Sequence, residues 1–535
     1  MQKTALISVY HKENIEKFAA DLISMGWQIL ASGGTAKYLA EKGLKVKDTA
    51  EIVGGKDILG HRVVTLSREI HAGLLARTGV KEDMDELEKL KIPFIDLICA
   101  DLYPLEEAIQ KSDANFESVI EATDIGGPTL LRSAAKGGRI VICDWEDRSQ
   151  IVESLKKEGD VDKEKRKELA AKAEYIVAKY CLASAQFHSR ENYNGFFGEQ
   201  ISETLYGENA YQVPGKLYSA KNHDSLALDK FKVLTDMAPS YNNICDIDRM
   251  LQALTHIAAA FEINNIPAKY FGVAVKHGNA CGAAYGEDKI KVIKNIIEGD
   301  PRAIFGGLAM LNFEIDEPEA ETILTHLMEK SERRLLDGIV ASAFSEKAIA
   351  LMRRKKDKCR LVANPGLASL GKDNLDLMKR FRYVRGGFLA QPNYTFILNL
   401  NHPEIKIFGD LTEDVKADLL LAWAVSATSN SNTLTLVKDA KLIGNGVGQQ
   451  DRVSCAELAI KRARDAGHDV QGAAAASDSF FPFIDGPQTL IDAGIRMIFS
   501  TSGSVGDEKV QKLCRDAGIS LVQLPDKIAR GFFGH

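Results

Sequence analysis

No run in the sequence approaches the 18 or more apolar residues of a membrane-spanning helix. Cysteine is sparse: eight residues, scattered from Cys99 to Cys514 with no CxxC pair, exclude a disulfide framework and a structural zinc site and predict reduced thiols. Positive charge is not in excess. Lys and Arg total 68 against 74 Asp and Glu, a net charge of −6, so nucleic acid is not an expected partner and any basic pocket must be local. The opening residues, MQKTALISVY, lack the charged region, apolar stretch and small-residue cleavage site of a signal peptide. A soluble, cytoplasmic protein without a membrane partner is expected. What is present is ordinary for folded chains: 45% hydrophobic and 27% charged residues let every segment bury a core. At roughly 150 residues per domain, the 535 residues predict three to four folding units.

Thr4 to Val9 is a short apolar run, and Ile15, Phe18, Ala19, Leu22 and Ile23 follow on one helical face closed by Gly26. The pattern predicts strand, helix, stop. Trp27 to Ala31 reads as a second strand, residues 32–35 as the opening of a short helix ending at Gly43, and Ile92 to Ala100 as another buried strand. Repeated βα units predict a doubly wound α/β domain with a mostly parallel sheet, whose ligands collect at the carboxyl ends of strands. That focuses attention on residues 32–35 and 101–103. From Ser154 to about Tyr180, apolar positions recur at helical spacing among charges and alanines, predicting one long helix. Beyond about residue 200 the pattern resumes, with strands expected at Tyr270 to Val275, Gly338 to Ala341, Thr433 to Val437 and Met497 to Phe499. No short repeat period is visible. Two large halves splitting near 365–380 are expected.

Ser32-Gly33-Gly34-Thr35 sets two glycines and two hydroxyls between strand and helix, where free N–H groups and the helix dipole suit a phosphate. An ordinary tight turn reads the same way. Asp124-Ile125-Gly126-Gly127-Pro128 announces a helix with Pro128 at its first position, and Arg132 and Lys136 share a face. A carboxylate, a helix start and two cations suit an anionic ligand; a solvated face is the alternative. The most informative segment is Val275 to Gly282. Neighbours in a strand point to opposite faces, so Lys276 and His277 share a site only if the strand ends there and glycines bend the chain. Gly278 and Gly282 supply the glycines. A histidine beside an ammonium is pushed toward its neutral form and can move protons while the lysine stabilises developing negative charge. A surface pair at a strand end is the bland reading. Asn432, a Gly-rich loop from Gly444 to Arg452, and the run Ser477 to Asp485 complete the candidates. The aromatic rings, proline and carboxylates of that last run could stack a flat heterocycle. No P-C-x-x-C accompanies the H-x-E triplets at His11 and His402, so no metal site is expected.

Taken in order, ISVYHK, ASGGTAKYL, TLSREIHAGLLAR, DLYPLEE, TDIGGPTLLRSAAK, LYGENAYQ, SYNNICD, VKHGNACG, IFGG, GIVA, SNTLTLVKD, GVGQQDR and ASDSFFPFIDG resemble the bifunctional purine-biosynthesis family that combines AICAR transformylase with IMP cyclohydrolase. The resemblance runs from end to end. It implies a methylglyoxal-synthase-like domain over 1–195 and two cytidine-deaminase-like transformylase units without zinc, over 196–370 and 371–535. It also implies a homodimer with transformylase sites at the subunit interface, acting on a purine ribonucleotide with 10-formyltetrahydrofolate as formyl-donor substrate and no tightly bound cofactor. His277 would handle the proton, Lys276 would stabilise charge and Asn432 would orient the reacting groups. Tyr206, Asn243, Arg452, Phe480, Pro482 and Asp485 match nucleotide and folate positions. In the first domain Tyr103, Asp124 and Lys136 match catalytic positions, with Ser32, Gly33, Gly34, Thr35, Thr65, Gly126 and Gly127 available to substrate.

The chain also departs from the family pattern. Val64 stands where R-V-K-T-L-H-P-x-x-H has its lysine, with Arg68 nearby, and Tyr10-His11 replaces Ser-Asp in the first loop. Leu205 and Tyr211 replace an arginine and a histidine of R-Y-G-x-N-P-H-Q, Ala280 replaces a proline, and the C-terminal motif is stretched to Arg530 through His535. Losing an Arg–phosphate contact weakens binding by about 1.5–3 kcal/mol. These losses leave two other functions open: a paralogue binding nucleotide or folate without turnover, and an enzyme acting on a related ribonucleotide.

Overall fold

The run predicted as the first strand, Thr4–Ser8, is the centre of a parallel sheet in the computed structural model, which describes residues 2–55, 58–59, 63, 65–354 and 358–534. The chain divides into two units, 1–197 and 198–535. In the first, among the described residues, the strand order is Lys47–Asp48, Gln28–Ala31, Thr4–Ser8, Leu97–Ala100, Ile140–Ile142, every pair parallel. The winding reverses between Thr4–Ser8 and Leu97–Ala100, which opens a crevice at their carboxyl ends. Helix Ile15–Ser24 buries Ile15, Phe18, Ala19 and Leu22, the face its spacing predicts. Two expectations need correction. The long helix expected from Ser154 is two, Asp147–Glu158 and Lys163–Ser189: Gly159 ends the first at φ 73°, and Asp162 caps the second by accepting the Lys165 N–H at 2.9 Å. The strand expected from Ile92 begins at Leu97, because Pro93 has no N–H to give a ladder and the Ile95 N–H goes to the Gly73 carbonyl at 3.1 Å, although Ile92 and Ile95 are buried.

The second unit is built twice along one sheet. From the middle outward, one side runs Asn279–Gly286, Tyr270–Lys276, Leu308–Leu311, Gly338–Ala341, Arg360–Ala363 and Lys232–Val233. The other runs Lys441–Gly446, Leu434–Lys438, Ala474–Ser477, Met497–Ser502, Ser520–Pro525 and Lys406–Phe408. Successive pairs follow one pattern on both sides: antiparallel twice, parallel twice, antiparallel. The sides join at Ala284 opposite Lys441. The helices correspond too. Tyr241–Ile263 and Glu413–Ala427 pack together on one face, around Phe261 and Trp423. Lys289–Gly299, Glu317–Thr325 and Glu346–Met352 cover the other face of the first repeat, as Arg452–Asp465, Asp485–Asp492 and Asp507–Asp516 do in the second.

Close packing fixes one glycine in each repeat. A Cβ on Gly282 would strike the Ile296 carbonyl oxygen, and one on Gly444 the Ala459 carbonyl oxygen. This corrects the Gly-rich loop expected from 444: Gly444 and Gly446 lie in strand Lys441–Gly446 because the helix behind it leaves no room for a side chain. A separate hairpin, Arg380–Val384 with Gly387–Gln391, stands largely exposed. Among the described residues no helix is long and apolar enough to cross a membrane.

Candidate functional site

At the crevice of the first unit, Ser8 and Ser32 end neighbouring strands and their hydroxyls meet at 2.7 Å. Ser32 is the N-cap of helix Gly33–Glu41, so the Gly33 and Gly34 amides have no intrahelical acceptor and suit an anion. Thr35 turns inward: its Oγ1 accepts the Val9 N–H at 3.3 Å and the Lys12 Nζ at 3.2 Å. Burial lowers the Lys12 amine from the usual lysine range, with Asp101 opposing. Asp101 accepts the N–H groups of Tyr10 and His11 and faces His11 Nδ1 at 3.1 Å.

Across the crevice, Asp124 Oδ1 accepts the Gly127 N–H at 2.9 Å, and the Tyr180 hydroxyl accepts the Asp124 N–H at 2.5 Å. A Cβ on Gly127 would strike the Asp124 carboxylate and one on Gly126 would sit 3.0 Å from Thr65 Oγ1, so Asp124, Thr65 and the glycine pair form one cluster. Burial raises Asp124 above the usual carboxylate range; burial and the Asp124 charge both raise Tyr103. Tyr103 meets the Tyr10 ring edge-on at 5.5 Å. Helix Gly126–Lys136 starts two glycines earlier than its proline suggests, making Pro128 its third residue rather than its first. Lys136 is its last residue, exposed and about 15 Å along the axis from Gly126. It does not join the Asp124 cluster within this chain, and Arg132 pairs instead with Glu174 at 3.1 Å. Val64 lies outside the described residues.

In the second unit the strand ends at Lys276 and a two-residue turn, His277 at φ 53° and Gly278 at φ 73°, leads to Asn279. This is the bend that lets neighbouring strand residues share a site. Lys276 Nζ donates to the Phe305 carbonyl at 2.6 Å, in the loop before Leu308–Leu311. Asp246, on the first turns of helix Tyr241–Ile263, accepts the Gly278 N–H at 2.7 Å; burial raises its carboxyl, with His277 opposing. The turn reaches the second repeat through Asn279, whose Oδ1 accepts the Asn430 N–H at 3.2 Å. Two residues on, Asn432 exchanges backbone hydrogen bonds with Gln449 and donates from Nδ2 to the Gln449 carbonyl at 3.0 Å. Ser431 Oγ donates to Asp478 Oδ2 at 2.5 Å, and Arg452 Nη2 donates to Asp478 Oδ1 at 3.2 Å. Asp478 has a fully buried side chain, and burial raises it against the pull of Arg452.

The C-terminal segment closes this junction. Phe533 N–H donates to the Ser429 carbonyl at 2.9 Å, and its ring lies between the guanidinium groups of Arg249 and Arg380, 4.2 and 3.6 Å from the ring centre. Burial and the Arg380 charge bring Arg249 down to about 10. Phe480 lies 5.9 Å from the Arg530 guanidinium. Pro482 is half-buried, whereas Asp485 opens its helix from an exposed position. Asn243 is buried and spends its side chain on a capping box with Ser240, at 3.1 and 3.2 Å. Tyr206 is half-buried in the loop whose Glu208 carbonyl accepts Asn242 Nδ2; Leu205 and Tyr211 point to solvent. The structure thus gathers Lys276, His277, Asn432 and Arg452 where the repeats meet. It adds Asp246, Arg249 and Ser431, which the sequence did not single out, and gives Asp478, named only as part of the run Ser477 to Asp485, its partners Ser431 and Arg452. Asp246 and Asp478 stand inside the quoted runs SYNNICD and ASDSFFPFIDG, but nothing local marks a carboxylate that bonds a distant turn.

The AICARFT/IMPCHase bienzyme family matches residues 134–462, and the MGS-like domain matches residues 14–129. The bifunctional purine biosynthesis protein PurH of Bacillus cytotoxicus is 35% identical over 535 residues, 98% of each chain. PurH of Bacillus cereus strain AH820 is 34% identical and that of Persephonella marina 33%, each again over 98% of both chains. The crystal structure of ForH aligns with 36% of this chain and 100% of its own, at 32% identity and a TM-score of 0.33, too low to inform the fold. With a match across more than half its length and full-length relatives above 30% identity, the chain belongs to the AICARFT/IMPCHase bienzyme family.

Proposed function

We propose that this protein transfers a formyl group from 10-formyltetrahydrofolate to the 5-amino group of AICAR and closes the product, FAICAR, to IMP. The observation that carries the reading is the His277-Gly278 turn, which follows Lys276 and whose next residue, Asn279, accepts the Asn430 N–H of the other repeat, in a chain of this family. The amine of AICAR attacks the formyl carbon, the bond from that carbon to folate N10 breaks, and His277 takes the amine proton and passes it to the departing N10. Lys276 offsets negative charge developing on the formyl oxygen, and Asn432 orients the reacting groups. Arg452, Asn243, Tyr206, Phe480, Pro482 and Asp485 would hold nucleotide and folate.

In ring closure, the carboxamide nitrogen of FAICAR attacks its own formyl carbon and water leaves. Holding the two ends together can itself contribute roughly 7–11 kcal/mol, so the step tolerates Val64 in place of a lysine. Asp124 and Tyr103 are the proton-handling groups, Ser32 to Thr35 and Gly126-Gly127 meet substrate, and Thr65 lines the cluster. Lys136, at the far end of its helix, would serve a site only from another face of the assembly. This reading divides the chain into a ring-closing domain, 1–195, and transformylase units 196–370 and 371–535; the repeated strand order supports the second division. A cytoplasmic homodimer goes with it. The hairpin at 380–391 supports the dimer, because an isolated two-stranded ribbon with exposed Tyr383 and Leu389 needs a covering surface. The test is to incubate the protein with AICAR and 10-formyltetrahydrofolate and resolve AICAR, FAICAR and IMP, beside His277→Ala. IMP lost in the variant supports both activities; FAICAR alone restricts the chain to transfer. No product from folded protein would sink the reading.

A further inference from the structure

The internal duplication gives one more side chain a role. We infer that Asp246 is a positioning residue for formyl transfer, holding the His277-Gly278 turn so that the imidazole meets the substrate amine. This rests on His277 being the base. The turn holds a non-glycine residue, His277, in the left-handed region, a conformation that persists only where surroundings enforce it. The enforcing contact is the 2.7 Å bond from the Gly278 N–H to Asp246 Oδ1.

The second repeat carries the same device without the histidine. Its turn, Asp439 at φ 53° and Ala440 at φ 64°, lies between Lys438 and Lys441, and the Ala440 N–H donates to Asp418 Oδ1 at 2.9 Å. Asp246 and Asp418 occupy the same turn of corresponding helices, Tyr241–Ile263 and Glu413–Ala427. Lys438 repeats the Lys276 contact, donating to the Asp469 carbonyl at 3.2 Å as Lys276 does to Phe305. The carboxylate-to-turn bond is therefore how this fold ties each long helix to its hairpin. The two carboxylates differ in their remaining partners. Asp418 also accepts the Tyr285 hydroxyl at 3.0 Å, whereas Asp246 faces His277. Arg249, on the same helix and acting electrostatically on Asp246, is bonded to Thr428 and Asn430, and Lys276 precedes His277 on the hairpin. The 430–432 segment offers amides and carbonyls.

The twin supplies the control. Asp246→Ala should lower kcat about 10- to 100-fold with the KM for AICAR changed less than about threefold, since misplacing a reacting group costs on that order. Asp418→Ala should lower the melting temperature comparably while kcat stays within about twofold. Asp246→Asn keeps an oxygen for the Gly278 N–H, so it should restore most of kcat. Should Asp246→Ala fail to fold, Asp246→Glu decides: it keeps the charge but shifts the oxygen under the turn by one methylene, and should show the same selective loss of kcat. Wild-type kcat in Asp246→Ala or Asp246→Glu would overturn the inference, as would an equal kcat loss in Asp418→Ala. A fully active His277→Ala would remove the base and this inference together. An inactive His277→Ala beside an unaltered Asp246→Ala would remove this inference alone.

Discussion

The two halves of the large sheet have one plan and two uses. Where the first repeat ends strand Leu308–Leu311, Asn312 satisfies its own chain, accepting the Phe271 N–H at 2.7 Å and donating to the Lys269 carbonyl at 3.1 Å. Where the second ends Ala474–Ser477, Asp478 reaches out to Ser431 and Arg452. The hairpin turns divide the opposite way: the first bears His277 and the second a plain Asp439. Each repeat has kept the fold's fastenings, and at each pair of corresponding positions the two repeats carry different side chains. The proposed transfer site lies where the hairpin of one repeat bonds the 430–432 segment of the other, next to that repeat's strand-end carboxylate.

The largest expected difference between the repeats is catalytic. His277→Ala should lower formyl transfer by about 10²- to 10⁴-fold, while Asp439→Ala leaves it within twofold in the same assay. Next is the strand-end pair. Asp478→Asn strips the charge partner from a mostly buried Arg452 and should cost about 3–5 kcal/mol in urea unfolding. Asn312→Ala, which orphans one N–H and one carbonyl, should cost about 1–3 kcal/mol. Equal losses would erase the contrast drawn between a charged and a self-satisfied position. A third difference is in pH. Burial raises the Asp418 carboxyl, so its folded form favours the proton: stability from this group is full below the ordinary carboxyl value of 3.8 and is lost as pH rises through the raised value. Asp418→Asn should therefore gain melting temperature relative to the parent between pH 4 and pH 8. A difference that is flat in pH would mean that the carboxylate carries no such cost. The smallest effect lies in the turns. Gly278→Ala should cost about 1–2 kcal/mol and Ala440→Gly should recover up to about 1 kcal/mol, because both sites hold left-handed backbone.

Local patterns served well where local physics decides. Thr4–Ser8, helix Ile15–Ser24 and Gly338–Ala341 follow from apolar periodicity and glycine stops. The break at Gly159 escaped because the charged residues on both sides suit a helix equally well, and only the left-handed cap and Asp162 separate them. The two units of the second half were legible through the resemblance, but their residue-level correspondence was not: what the repeats share is a handful of single residues, among them Gly282 with Gly444 and Asp246 with Asp418, set amid unlike neighbours. Their common cause, a helix pressed on a strand or a carboxylate under a turn, exists only in three dimensions. The same limit hid Asp246 and the partners of Asp478, whereas Lys276 and His277 were legible because the glycine that bends their chain is adjacent in sequence.

The seam at Ala284 and Lys441 joins strands that leave the ribosome far apart in time. With synthesis at about 5–20 residues per second, strand Asn279–Gly286 waits roughly 8–30 s as an open edge before Lys441–Gly446 emerges to cover it. An uncovered edge is an invitation to pair with a stranger. This one reads NACGAAYG: three alanines, two glycines and no β-branched side chain make it a poor template for a foreign strand. Smallness demanded by the helix behind it in the finished sheet thus also guards the nascent chain while its second half is still being made.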